Sequence, residues 1–288
     1  MKFSYQVGMS DADHYLPLAR AAEAAGFDGI TIPDSICYPQ ECSSKYPYNK
    51  DGSREFLESV PFLESLIAVS AMAAVTDNIR FATFVYKLAV RQVAVVAKQV
   101  QSIQQLSGNR FDFGVGISPW EEDFAVCDVP WEKRGKRFDE QIDILRGLET
   151  GEFFGYDGDI HHMPAAKMCP VPTAPTPILI GGHAEPALKR AARVGDGWMC
   201  AGADMEQLTA YIGRINQLRE EYGTADRPFR FFTTGQNAFT REGIEELEGI
   251  GVTDVIIAFR NVYEMEPDHS LDDKIKMMNW YAGEFMNG

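Results

Sequence analysis

The chain has 288 residues, 45% of them hydrophobic, which is enough apolar surface for one large core and a length that a single α/β barrel commonly occupies. Forty-two acidic against 27 basic residues give a formal net charge of -15, which disfavours a nucleic-acid partner, because phosphate neutralisation needs clustered Lys and Arg. No apolar run approaches the roughly 18 residues that span a bilayer, and the N-terminus lacks a signal-peptide pattern, so no membrane partner and a cytoplasmic location are expected.

In chain order, residues 3–8 read as a first strand and 14–25, with Ala and Leu at helical spacing, as a helix ended by Gly26. A second strand is expected over 29–33, a helix over 59–75, a third strand over 79–86, a helix over 93–106 and a fourth strand over 110–116. Ser107, Gly108 and Asn109 punctuate the last two. A charged amphipathic helix follows over 131–151, then a short hairpin over 153–163 marked by Gly155 and Asp157-Gly158, and a proline-rich connector over 164–177. Residues 178–180, 197–200, 229–234 and 254–259 supply strands five to eight, alternating with helices over 186–194, 205–222, 242–249 and 271–285. Eight strand–helix alternations predict a single (β/α)8 barrel over 1–288, with loop insertions at its C-terminal face.

In a parallel barrel the loops after the strands build the site. Residues 35–58 are too long for a plain connector and carry Tyr38, Tyr46, Tyr48 and Phe56, which fits either an aromatic lid over a flat ring or a packed Ω-loop or dimer contact. Asp34 ends strand two, where a carboxylate holds a polar ligand edge or relays a proton, or else caps a turn. Gly114 and Gly116 end strand four and admit close backbone approach. The acids Glu121, Glu122 and Asp123 read mostly as a solvated helix start. Gly181-Gly182-His183, between a strand and a helix opening at Glu185-Pro186, is the best anion-binding candidate, with backbone N–H groups and a positive helix end. The histidines and the five scattered cysteines show no metal-ligand spacing, so no metal is expected. G-x-S-x-G and Walker motifs are missing from the sequence.

Five motifs in fixed order, PDSICYP, YPYNKDGSREFLE, GVGISPWEEDF, RGKRFDEQIDILRGL and PILIGGHAEPALKRAARVGDGW, resemble the luciferase-like monooxygenase superfamily, and their combination looks like its coenzyme F420-dependent oxidoreductase branch. The resemblance implies an F420 (alternatively FMN) ring in the barrel mouth. Asp34 would contact the ring's polar edge, Phe84 and Val85 would form a bulge with a non-prolyl cis peptide beneath it, and Gly116 would lie close by. Gly181, Gly182 and His183 would meet the phosphate. It implies hydride transfer to or from a small organic substrate; the alternatives are an FMN-dependent monooxygenase and a non-catalytic flavin-binding barrel. A homodimer is expected. Two departures stand out. Ser35 follows Asp34 where many F420 dehydrogenases have His, so Asp34 and Ser35 are the candidate catalytic pair with a hydroxyl in place of an imidazole. Lys87 stands where a neutral residue is familiar, either facing negative charge at the ring's pyrimidine edge or ending a strand at the surface.

Overall fold

The computed structural model describes residues 1–46, 52–235, 237–264 and 266–286; Tyr48 lies outside them. Eight parallel strand positions close into a barrel. Around the ring they run β1 (Lys2–Gln6), β2 (Gly29–Ile32), β3 (Arg80–Thr83) continued by β4 (Tyr86–Lys87), β5 (Phe111–Gly116), β8 (Ile178–Gly181), β9 (Gly197–Cys200), β10 (Arg230–Thr234) and β11 (Asp254–Ile257), and β11 pairs back to β1. The antiparallel hairpin β6 (Phe154–Asp157) and β7 (His162–Ala166) stands outside as an insertion, as its glycines predict.

The outer layer is α1 (Tyr15–Ala25), α2 (Ser65–Ala73), α3 (Val93–Ser107), α4 (Glu121–Val126), α5 (Arg134–Glu149), α6 (Glu185–Val194), α7 (Met205–Tyr222), α8 (Arg241–Gly249) and α9 (Leu271–Tyr281). Left-handed glycines end α1, α3 and α7 at Gly26, Gly108 and Gly223, where a carbonyl-rich terminus needs a positive φ. The helix expected over 59–75 begins only at Ser65. Ser59 has a positive φ, Pro61 follows it, and the Glu64 carboxylate caps the first turn by accepting the Ile67 N–H at 2.8 Å. The last helix is likewise shorter than its periodicity, since α9 passes into a π-helical turn at Ala282–Met286.

The strand expected over 79–86 is two pieces. β3 pairs with β5 through Phe81 and Ala82, β4 resumes the pairing through Tyr86 and Lys87, and the intervening Phe84–Val85 peptide is cis. The barrel interior beneath is a layer of Ala82, Leu179, Met199, Phe232 and Ile256, each 5% exposed or less, on which Phe84 and Val85 rest. Glycine makes the bulge possible. A Cβ on Gly114 would stand 1.9 Å from the Thr83 carbonyl oxygen and 2.6 Å from Met199 Sδ, and one on Gly116 or Gly181 would meet Val85 methyls at 2.8 and 2.9 Å. At the N-terminal end of the barrel, buried Asp112 pairs with both Arg80 and Arg230, and Arg230 also pairs with buried Asp254. The cleft of about 390 Å³ beside them lies on the face that in this fold serves stability rather than chemistry.

Candidate active site

The bulge floors the barrel mouth, which is divided into two chambers that share Gln6, Met9, Phe84, Ala201 and Val262. The first, about 180 Å³, brings Asp34, Ser35, Phe84, Val85, Lys87, Gly116, Gly181 and Gly182 together. Its wall is apolar and mostly aromatic: Tyr46, Leu57, Phe62 and Trp120 line it, with Tyr46 edge-on to Trp120 at 6.0 Å and to Phe56 at 5.3 Å. Described residues of the long loop therefore cover the mouth. The short 3-10 turns Glu55–Leu57 and Val262–Glu264 meet across it.

Asp34 is not a free base. Its side chain is fully buried and accepts from Arg91 Nη1 at 2.7 Å, Arg91 Nη2 at 2.8 Å, the Lys87 backbone N–H at 2.8 Å and Ser65 Oγ at 3.2 Å. A fork-on-fork pair with Arg91 spends both oxygens. The Arg91 guanidinium in turn stacks 3.8 Å over the Tyr86 ring and donates to the Lys87 carbonyl, so this ion pair fixes the strand just past the bulge. Burial works against the Arg91 charge, but Asp34 and Tyr86 outweigh it and push its pKa up.

Lys87 is no surface lysine. Its Nζ lies 2.7 Å from the fully buried Asp123 carboxylate and 5.0 Å over the Trp120 ring, with the side chain 13% exposed. Asp123 also accepts from Ser118 Oγ. The acidic run is thus engaged rather than solvated at two of its three positions. Glu122 accepts the Ser43 N–H at 2.7 Å and ties the aromatic loop to α4. Burial would raise its pKa, but the N–H donors of Glu122 itself and Ser43 prevail and hold it at about 2.

At the far side, Gly182 adopts φ +113°, and a Cβ there would stand 3.1 Å from Ala187 Cβ. It leads into α6, whose N-cap Ala184 makes no side-chain cap; Pro186 has no N–H and the Ala187 N–H donates to the Ala184 carbonyl at 2.7 Å, so the first turn offers a ligand at most the Glu185 N–H. His183 departs from its expected place. Its ring stacks on Tyr211 at 5.1 Å and sets Nε2 3.3 Å from Cys200 Sγ and within 3.4 Å of the Ala201 N–H. Burial lowers its pKa. It is not among the residues that line the chamber.

Arg91, Asp123 and Trp120 were not singled out from the sequence as site residues. The readable signal for Arg91 was one cation inside the apolar run LAVRQVAVV, where an unpaired charge would be costly.

The candidate site thus sits at the strand C-termini of a parallel (β/α)8 barrel, on a bulged third strand and beside a glycine turn before α6. Residues 3–250 match the luciferase-like monooxygenase family model, and the chain belongs to that family. It is 50% identical over 283 residues, 98% of each chain, to an uncharacterised protein of Mycobacterium tuberculosis. It is 26% identical over 298 residues to an F420-dependent glucose-6-phosphate dehydrogenase of the same species, covering 96% of this chain and 79% of the relative. Among solved structures, the monooxygenase RslO1 from Streptomyces bottropensis aligns with TM-score 0.77 at 16% identity, over 99% of each chain. The coenzyme F420 dependent tetrahydromethanopterin reductase from Methanopyrus kandleri aligns with TM-score 0.75 at 14% identity, over 99% of this chain and 98% of that one. At these identities the structures establish the fold. The family makes the chain an enzyme of the luciferase-like oxidoreductase class.

Proposed function

We propose that the protein transfers a hydride between a coenzyme F420-type deazaflavin and a small organic substrate in the barrel mouth. The observation that carries this reading is the glycine side of one chamber, where Gly182 at positive φ, Gly181 and Gly116 stand with Phe84 and Val85 opposite Trp120 and Tyr46. These residues fit a flat ring bearing a phosphate. The phosphate would take the N–H groups after Gly181, and the ring would lie on Phe84–Val85. When bound, the cofactor supplies the hydride chemistry.

The chain's own residues bind, orient and exclude water. Asp34, through Arg91 and the Lys87 N–H, keeps the bulge in place; Trp120, Tyr46, Leu57 and Phe62 dry the mouth; Ser35 Oγ offers a hydrogen bond to a substrate oxygen without serving as a strong base. Lys87 Nζ places positive charge at the same wall. Support for F420 over FMN comes from the branch motifs and from the F420-dependent dehydrogenase relative. Self-association is part of the proposal, supported by exposed Ile67 on α2 and by Val95 and Leu106 on α3, apolar surface in a chain of net charge -15. So is a cytoplasmic location, for which the five free cysteines speak.

Fluorescence titration of the purified protein with F420 and with FMN tests the cofactor, and tighter F420 binding is expected. About a tenfold preference for FMN, 1.4 kcal/mol, overturns it. Turnover of the reduced cofactor with a panel of enones, aldehydes and alcohols separates an enzyme from a non-catalytic binding barrel.

A further inference from the structure

The second chamber, about 510 Å³, lies between the ends of β1, β9, β10 and β11 and shares Phe84 with the first. Tyr5, Phe239 and Phe259 form an aromatic side, the first and last 5.9 Å apart, and Arg260, Asp268, His269 and Lys274 a polar one. Arg260, near the start of the loop that follows β11, lines this chamber with its side chain 14% exposed. Two contacts position it. Nη2 donates to the Met9 carbonyl oxygen at 2.9 Å, and Nη1 lies 3.4 Å from Asp268 Oδ1. A guanidinium has five N–H donors, so these leave several unspent.

Asp268 does not neutralise it alone. The same carboxylate binds Lys274 Nζ at 2.6 Å, and Lys274, only 4% exposed, spends its other donors on Ser10 Oγ at 2.9 Å and near His14 Nδ1 at 3.1 Å. One partly exposed carboxylate, its side chain 24% exposed, thus serves two cations. Glu266, the other acid on this chamber, sits at the exposed rim and accepts the Asn261 N–H. Lys274 and Asp268 therefore form a prop, and Arg260 is the cation with donors to offer.

We infer that this chamber is a substrate subsite for an oxyanion, a carboxylate or a phosphate carried on a flat or apolar body, and that Arg260 receives it. The fork of an arginine matches a planar carboxylate or a phosphate edge, while the aromatic walls take the body. This rests on the hydride-transfer reading in one respect: an anion at Arg260 sets the body against Phe84, beside the ring's expected place. Neutral substrates of the same shape would lose the anchor.

The test is ¹⁹F NMR titration of the full-length, cofactor-free protein with 4-fluorobenzoate, 4-fluorophenyl phosphate and 4-fluorobenzamide. Wild type should bind at least one of the anions about tenfold more tightly than the amide, and whichever anion binds better identifies the group. Arg260→Gln should abolish the preference, and Arg260→Lys, which keeps the charge but not the fork, should lose about threefold or more. Equal binding of all three probes, no binding of any, or a preference that survives in Arg260→Gln overturns the subsite. Should Arg260→Gln not fold, unchanged anion affinity in Arg260→Lys overturns it. F420 titration of the variants separates the two proposals. Cofactor affinity should be unaltered, and a parallel loss would move Arg260 into the cofactor site. A wild type that binds neither F420 nor FMN but still prefers the anions sinks the hydride-transfer reading and leaves the oxyanion site standing.

Discussion

Replacing Asp34 with Asn tests what the carboxylate is for. The amide keeps the size, but one of the two oxygens that accept from Arg91, Ser65 and the Lys87 N–H becomes a donor, so at least one donor meets another donor. Arg91, whose side chain is 16% exposed, is left a largely buried cation without its counter-charge. Removing one partner of such a pair costs about 3–5 kcal/mol, because the orphaned charge carries its desolvation penalty uncompensated. At about 2–4 °C per kcal/mol for a domain approaching this size, Tm should fall by roughly 6–20 °C. The assay is urea and thermal unfolding of Asp34→Asn, Arg91→Met and the double variant, with single-turnover hydride transfer measured on each. The double variant should be less damaged than the sum of the single ones, giving a coupling above about 1 kcal/mol. Turnover and cofactor affinity should fall together, since the bulge moves with Lys87. A variant as stable as wild type, with turnover lost and cofactor affinity kept, would refute the positioning role and make Asp34 a proton-relay carboxylate.

Gly182→Val should weaken F420 binding by about tenfold or more with far-UV circular dichroism unchanged, because valine is strained at φ +113° and its Cβ crowds Ala187; wild-type affinity would place the phosphate elsewhere. Ser35→Ala should change turnover less than about threefold if the hydroxyl only orients a substrate oxygen, whereas Ser35→His should gain measurable alcohol oxidation by adding a group that titrates near neutrality; both are read by cofactor fluorescence. The Glu122 anchor predicts a pH dependence. Its folded value of about 2 lies below the ordinary 4.5, so the stabilisation is complete above 4.5 and is lost as the pH falls from there toward 2. Limited acid proteolysis within residues 35–58 should rise over that window in wild type, and Glu122→Gln should already be cleaved rapidly at pH 5.

The barrel was legible because its signals are local. Apolar period, glycine stops such as Gly26 and Gly108, and the hairpin glycine Gly155 all act within a few residues, and the structure keeps each. The turn at Gly181-Gly182 was legible for the same reason, since a strand, two glycines and a helix start are adjacent in sequence. What escaped was pairing across distance. Asp34 meets Arg91 across 57 residues and Lys87 meets Asp123 across 36, and nothing in the local pattern of either partner names the other. The same gap misled the reading of G-x-G at Gly114 and Gly116, which in sequence looks like room for a ligand. In the barrel it is first of all room for Thr83 and Val85, so part of what the mouth offers a cofactor is made by neighbouring strands yielding to a bulge. His183 shows the converse. It follows the glycines in sequence, but its ring packs on Tyr211 and meets Cys200 and Ala201, and a side chain's direction is decided by whichever partners the fold delivers.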